Sequence, residues 1–324
     1  MKSCSLFCLA PLVLLACYEA PEQGVLVSGP LAGPTKPAEL SLRITRADLP
    51  KAQTRISFGV APFVGRARAR QSFEPFAAHL SKVLGVQVDL VVGRSYQDLI
   101  DKVVADKLDV VILPPASYVL AKRRSPNLQL LASQIAYGAT SYSSYILVRA
   151  DDPARKLSDL AGRRIAFVDR HSTSGYLFPY AAFLNVGLDP NADFSEILYP
   201  GEHIQTIRHL LAGDVDAAAT ASGMLNVSRA TSPSLDTGGT RILFNAGRIP
   251  YDALCASGRL PSSGAKKIAW AFIGLSTRTA IGRRLFAQTN AMSGWIPAVD
   301  SLYDGVRDVL TRVQRHQAER GGPR

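Results

Sequence analysis

Val168-Asp169-Arg170-His171-Ser172-Thr173-Ser174-Gly175-Tyr176-Leu177-Phe178-Pro179 joins the end of an apolar run to the start of a helical pattern. Upstream, Arg164-Ile165-Ala166-Phe167-Val168 has strand length. From Tyr176 to Asn185, residues Leu177, Tyr180, Ala181 and Leu184 recur on one helical face. Ser172, Thr173 and Ser174 therefore fall at the N-cap and first turn of the predicted helix. A lone hydroxyl at that place caps a free backbone N–H. Three in succession with glycine behind them exceed what a cap uses, because hydroxyls, free amides and the positive helix end can all converge on one anion. The segment taken alone is compatible with capping and with an anion cradle.

The same strand-to-helix grammar extends in both directions. Before the cradle come a strand over Ile56-Ser57-Phe58-Gly59-Val60, a helix over Phe73–Leu84, a strand over Val86–Val92 and a helix over Tyr96–Lys107. A strand over Leu108–Leu113 then runs into Pro114-Pro115, and a helix starts at Ser117. After the cradle come Glu196–Tyr199, the helix Thr206–Leu211, Val215–Ala219 and Arg241–Phe244. Strands alternating with helices at this pitch predict mostly parallel sheets flanked by helices, in two α/β units. Ligands of such sheets bind beyond the carboxyl ends of the strands. Those ends deliver Tyr96, Pro115, Ser172 and His203 to loops.

A chain of 324 residues with 47% hydrophobic and 19% charged residues can bury two ordinary cores and is not disordered. Its net charge of +11 is dispersed in short basic groups such as Arg66/Arg68/Arg70, Lys122-Arg123-Arg124 and Lys266-Lys267. No nucleic-acid motif accompanies them, so they are solvated faces that draw anions, and nucleic acid is excluded as a partner. Of four cysteines, Cys4, Cys8 and Cys17 lie at the very start, which rules out a disulfide framework. Cys255 in Ala253-Leu254-Cys255-Ala256 is a buried small hydrophobe or, alternatively, a lone ligand for arsenic(III) or a soft metal. No metal-ligand spacing, P-loop or dinucleotide fingerprint is present, and no cofactor is expected.

Met1-Lys2 and the apolar stretch Leu6–Ala16 have the form of an export signal. It ends in Leu14-Leu15-Ala16-Cys17, which resembles the bacterial lipobox whose cysteine becomes an acylated N-terminus. Residues 1–16 are thus the expected leader, Cys17 the lipidated residue, and the Pro- and Gly-rich segment to about Gln53 a tether. The folded part would stand on the periplasmic or cell-surface side of a bacterial membrane.

These residues resemble the PhnD-like substrate-binding proteins of phosphate, phosphite and phosphonate ABC transporters, from about Ile56 to Arg307. The most specific match is Phe167-Val168-Asp169 leading into Ser172–Pro179. Supporting it are Phe58-Gly59-Val60-Ala61-Pro62, Leu108-Asp109-Val110 before Pro115-Ala116-Ser117-Tyr118, Tyr142 before Ile146–Arg149, His203 after Gly201-Glu202, and Gly294-Trp295-Ile296-Pro297 before Asp300 and Tyr303. The resemblance implies a two-lobed α/β fold of the type II periplasmic-binding-protein kind. Lobe 1 would comprise 54–145 and 250–310, lobe 2 would comprise 146–249, and 311–324 would be a basic tail. It also implies that Ser172, Thr173, Ser174 and His203 hold an oxyanion while Tyr96 and Tyr142 close on it. Tyr118 and Tyr176 are expected to pack. Where the family has an acidic residue after the strand at Val215–Ala219, this chain has Thr220-Ala221-Ser222, so Ala221 cannot pair with a ligand amine and Ser222 is the available substitute.

Three functions follow in order. The first is a lipid-anchored, monomeric receptor that hands a small phosphorus oxyanion to an ABC permease. The second is a periplasmic sensor that reports an oxyanion, arsenite at Cys255 included, to a histidine kinase. The third, a hydrolase using Ser172 or Ser174 with His203, lacks a nucleophile elbow and a third orienting group.

Overall fold

The β–α alternation closes into two sheets, described by a computed structural model over residues 40–231, 237–287, 289 and 292–320. The expected leader, Cys17 and the tether to residue 39 lie outside the described residues. In the first lobe β1 (Arg55–Val60), α1 (Arg66–Leu84), β2 (Gln87–Val92), α2 (Tyr96–Val104), β3 (Val110–Leu113) and α3 (Pro115–Arg124) form a parallel unit in which β1 pairs with both β2 and β3. After β4 (Gln129–Ala136) the chain crosses to the second lobe, where β5 (Ser141–Arg149), β6 (Arg164–Ala166), α4 (Phe178–Asn185), α5 (Pro190–Asp193), β7 (Glu196–Leu198), α6 (His203–Ala212), β8 (Ala217–Ala221), α7 (Met224–Thr231) and β9 (Thr240–Pro250) follow. It then returns as β10 (Ala253–Ala256), α8 (Ser262–Ile273), α9 (Ala280–Phe286), β11 (Met292–Pro297) and α10 (Asp304–Glu319).

The strand orders are β11-β4-β10-β3-β1-β2 and β7-β6-β8-β5-β9. Both sheets are mixed, since β10 runs against β3 and β4 while β5 runs against β8 and β9. Residue type explains position. Central β3, Val110-Val111-Ile112-Leu113, is buried throughout, as a strand covered on both faces must be, whereas edge strand β2 alternates. Ser95 caps α2 by accepting the Asp98 amide at 3.1 Å.

Several boundaries differ from the sequence expectation. β5 joins the lobe 2 sheet from Ser141, so the chain crosses between lobes at 137–140 and 251–252 and not at 145. Segment 311–319 is no tail: it continues α10, with Val313 buried. Part of the expected tether is folded, because the Ile44 amide donates to Leu84 O at 2.7 Å and Lys267 Nζ to Asp48 Oδ2 at 2.7 Å. β9 is eleven residues long rather than four, since its alternating half-buried and exposed side chains at the sheet edge carry little apolar signal.

The cradle helix starts earlier than its apolar face suggests. Thr173–Leu177 form a π-helical turn that runs into α4, with Ser172 at its N-cap accepting the Gly175 amide at 3.1 Å. The turn is folded back on the strand end by the bond from the Val168 amide to Gly175 O at 2.9 Å. A Cβ at Gly175 would lie 2.3 Å from Val168 Cγ2, so no larger residue fits. Gly175→Ala is therefore expected to lower stability by about 1–3 kcal/mol through overpacking. A chemical-denaturation midpoint equal to that of the unaltered protein contradicts this packing.

Candidate functional site

The two crossings and the carboxyl ends of the strands enclose one cleft of about 920 Å³, including the mouth that opens to solvent. All six residues singled out in the sequence, Tyr96, Tyr142, Ser172, Thr173, Ser174 and His203, line it. Tyr96 opens α2 in lobe 1, Tyr142 lies at the start of β5, the three hydroxyls occupy the π turn, and His203 opens α6. Hydrogen bonds join the lobes around this cleft. The Ala116 amide donates to Thr173 Oγ1 at 2.8 Å, Ser117 Oγ to His171 O at 3.3 Å, and the His203 amide to Phe63 O at 3.2 Å.

The phenol of Tyr96 lies beside Ser172 and that of Tyr142 beside Ser174 on the cleft wall. Tyr142 is braced by Tyr251, whose ring stacks on it at 5.0 Å. Burial, reinforced by nearby carboxylates, pushes both phenols well above their ordinary range, so they stay protonated and act as donors. His203 Nδ1 sits 2.9 Å from Thr220 Oγ1. Burial pulls its imidazole down to about 4, leaving it neutral at physiological pH.

Sequence reasoning missed Asp252. It lies in the second crossing, within the cleft wall, and burial pushes its carboxyl up to about 7. It lines the same cleft as Tyr96, Tyr142 and Tyr251, and its charge helps to raise their phenols. The available signal was one acidic residue between Ile249-Pro250-Tyr251 and the buried run Ala253–Ala256. Among the described lining residues there is no lysine or arginine.

Two candidates move away from the site. Ser222 does not line the cleft: its hydroxyl accepts the Ser143 amide at 3.2 Å, so it cannot replace a carboxylate beside Ala221. Cys255 is buried in β10 and absent from the cleft wall, and burial pushes its thiol far above the range in which it ionises, which removes the arsenite reading. No group of three or more His, Cys, Asp or Glu able to hold a metal occurs among the described residues. Tyr118 and Tyr176 are buried, Tyr118 against Tyr303 at 4.8 Å and Tyr176 against Phe167 at 5.3 Å.

Residues 58–303 match the family of periplasmic substrate-binding proteins of phosphonate ABC transporters. The chain belongs to that family. Its members are exported binding proteins and not enzymes. The chain is 27% identical over 270 residues to the phosphate-import protein PhnD of Mycolicibacterium smegmatis, covering 78% of this chain and 84% of that protein. It is 26% identical over 142 residues to the tetrathionate sensor histidine kinase TtrS of Salmonella typhimurium, covering 43% of this chain and 24% of that protein. Among solved structures, PhnD1 of Prochlorococcus marinus in complex with methylphosphonate superposes with a TM-score of 0.72 at 20% identity, over 81% of this chain and 98% of that one. The family fold is thus the type II periplasmic-binding-protein fold.

The raised carboxyl of Asp252 has a measurable consequence. Its folded pKa, about 7, lies above the 3.8 of a free side chain, so the folded state holds a proton the unfolded state releases between those values. The stability this contributes is complete at acid pH and is lost as pH rises through about 7. In the ligand-free protein, the advantage of Asp252→Asn over the unaltered chain should therefore grow from pH 4 to 7, by at most about 1.4 kcal/mol per pH unit, and level off above that. His203 acts in the opposite sense in both proteins and cancels in the difference. A difference in unfolding temperature that does not vary with pH contradicts the assignment.

Proposed function

We propose that this protein captures a small phosphorus oxyanion, phosphate, phosphite or phosphonate, outside the cytoplasm and delivers it as a monomer to an ABC importer, held to the membrane by lipid on Cys17. The observation that carries this reading is the convergence of Ser172, Thr173, Ser174, Tyr96, Tyr142 and His203 on a cleft that contains one carboxyl and no cation among its described lining residues. Neutral donors fixed by their own second bonds can solvate an anion without reorganising, and in a walled cleft each counts for more than in water. His203 Nδ1 is bonded to Thr220 Oγ1, and in the tautomer in which Thr220 donates, Nε2 carries the proton and adds a neutral donor.

Asp252 sets the selectivity. Its carboxyl, poised near neutrality, accepts the proton of a P–OH group or, when protonated, donates to a P–O⁻ group. Either complex shares a single proton. Sulfate carries none at neutral pH and meets the ionised carboxylate as a like charge.

A second reading keeps the receptor and changes its output to a membrane histidine kinase; the partial likeness to a sensor kinase supports it. Co-purification with an ABC permease, as opposed to a kinase, separates the two.

Phosphate, phosphite or methylphosphonate at a hundred times Kd should stabilise the protein by about 2.7 kcal/mol, a rise on the order of 5 °C in unfolding temperature, whereas sulfate should give no shift. Replacing Ser172, Thr173 and Ser174 together by alanine should abolish the shift while the circular dichroism of the ligand-free fold persists. Binding that survives the triple change, or no shift with any phosphorus anion, overturns the proposal.

A further inference from the structure

Ala136 and Ala139 exchange both backbone hydrogen bonds, the Ala139 amide donating to Ala136 O at 2.9 Å and the Ala136 amide to Ala139 O at 3.2 Å. Tyr137 and Gly138 between them, with φ +51° and +73°, are thus the central residues of a two-residue turn in the first crossing. Positive φ at both positions is the type I′ conformation, which favours asparagine followed by glycine. Gly138 meets that demand and Tyr137 does not. A residue held in a conformation that its side chain disfavours persists only where its surroundings fix it, and such positions cluster at ligand clamps and switches.

The ring of Tyr137 meets the opposite lobe. The turn itself is anchored to lobe 1, since it leaves β4 and the Gly138 amide donates to Ser293 Oγ of β11 at 3.2 Å. The tyrosine reaches lobe 2, where its Cε2 lies 3.2 Å from the position that a Cβ on Gly223 would take. Gly223 follows the end of β8, where the Ser222 amide donates to Ser143 O at 2.8 Å, and it precedes α7. A side chain at Gly223 would crowd the ring, so the bare backbone is what allows the approach. Both residues line the cleft, and Tyr137 is 53% exposed, which puts the ring where the cleft meets solvent. We infer that Tyr137 is a latch: its ring, seated on Gly223, holds the lobes together at the mouth and sets how often the cleft opens. The latch acts on lobe motion and does not depend on which anion the cleft takes.

Hydrogen exchange of the purified protein without added ligand tests the latch. The Ala116 and His203 amides donate across the lobes, to Thr173 Oγ1 and Phe63 O, and they exchange when the lobes part. Tyr137→Asn supplies the residue that the turn favours and removes the ring. Exchange at both amides should then rise several-fold, while the amides of buried strand β3 keep their rates. Tyr137→Phe, which retains the ring, should leave all of them unchanged. Gly223→Ala, by crowding the ring, should accelerate the same two amides and should add nothing in a protein that already carries Tyr137→Asn. Unaltered exchange at Ala116 and His203 in Tyr137→Asn overturns the inference. So do equal acceleration by Tyr137→Phe, an additive effect of Gly223→Ala, and acceleration that extends to β3, which marks general destabilisation and not the loss of a latch.

Discussion

The bond from the Ala116 amide to Thr173 Oγ1, 2.8 Å long and buried, ties the first lobe to the very turn that is proposed to hold the ligand. Thr173 accepts across the cleft through an oxygen lone pair and retains its hydroxyl proton for an anion. Ser172 and Ser174 share this economy: Ser172 caps the turn by accepting the Gly175 amide, and the Ser174 carbonyl accepts the Ser144 hydroxyl at 2.8 Å. The turn is thus rigid before any ligand arrives. Its rigidity rests in turn on Gly175, the residue type that lets the turn lie against Val168.

Around that turn the electrostatics are unusual for a protein with a net charge of +11. The basic residues lie elsewhere, and the cleft wall offers dipoles, two phenols held protonated by burial, a neutral imidazole and a carboxyl poised near neutrality. Long-range attraction and local recognition are thereby separated. In the proposed receptor the surface charge raises the local concentration of anions, and the cleft selects among them by hydrogen-bond geometry and by the proton they carry. α10 helps fix the arrangement from behind, with Arg123 of lobe 1 bonding Thr311 and Gln314 while Gln317 bonds the Tyr176 hydroxyl at 2.6 Å beneath the turn.

What the chain reveals before folding follows from the range of each signal. The hydroxyl triplet and its glycine are local, so Ser172, Thr173 and Ser174 were legible as a candidate cradle, and strand–helix alternation announced the two α/β units. Tyr96, Tyr142 and His203 acquired roles through family resemblance, since each lies far along the chain from the others. Asp252 had neither aid: one acid in a short crossing segment means nothing until Tyr96, Tyr142 and the second crossing meet in space. The register of β9 along β5 hid the true crossing points, because a strand that pairs on one side and is wetted on the other has no clean apolar period. Cys255 is the converse case: the structure shows the buried small hydrophobe that its apolar context predicts, and only the alternative of a soft ligand falls away.

The most direct test is a crystal structure of the protein with methylphosphonate bound. The account predicts the tetrahedral phosphorus group in the cleft, its oxygens about 2.5–3.2 Å from the donors of Ser172, Thr173, Ser174, Tyr96, Tyr142 and His203, and one oxygen facing Asp252. A phosphorus group held by lysine or arginine, or bound away from the π turn, would contradict it.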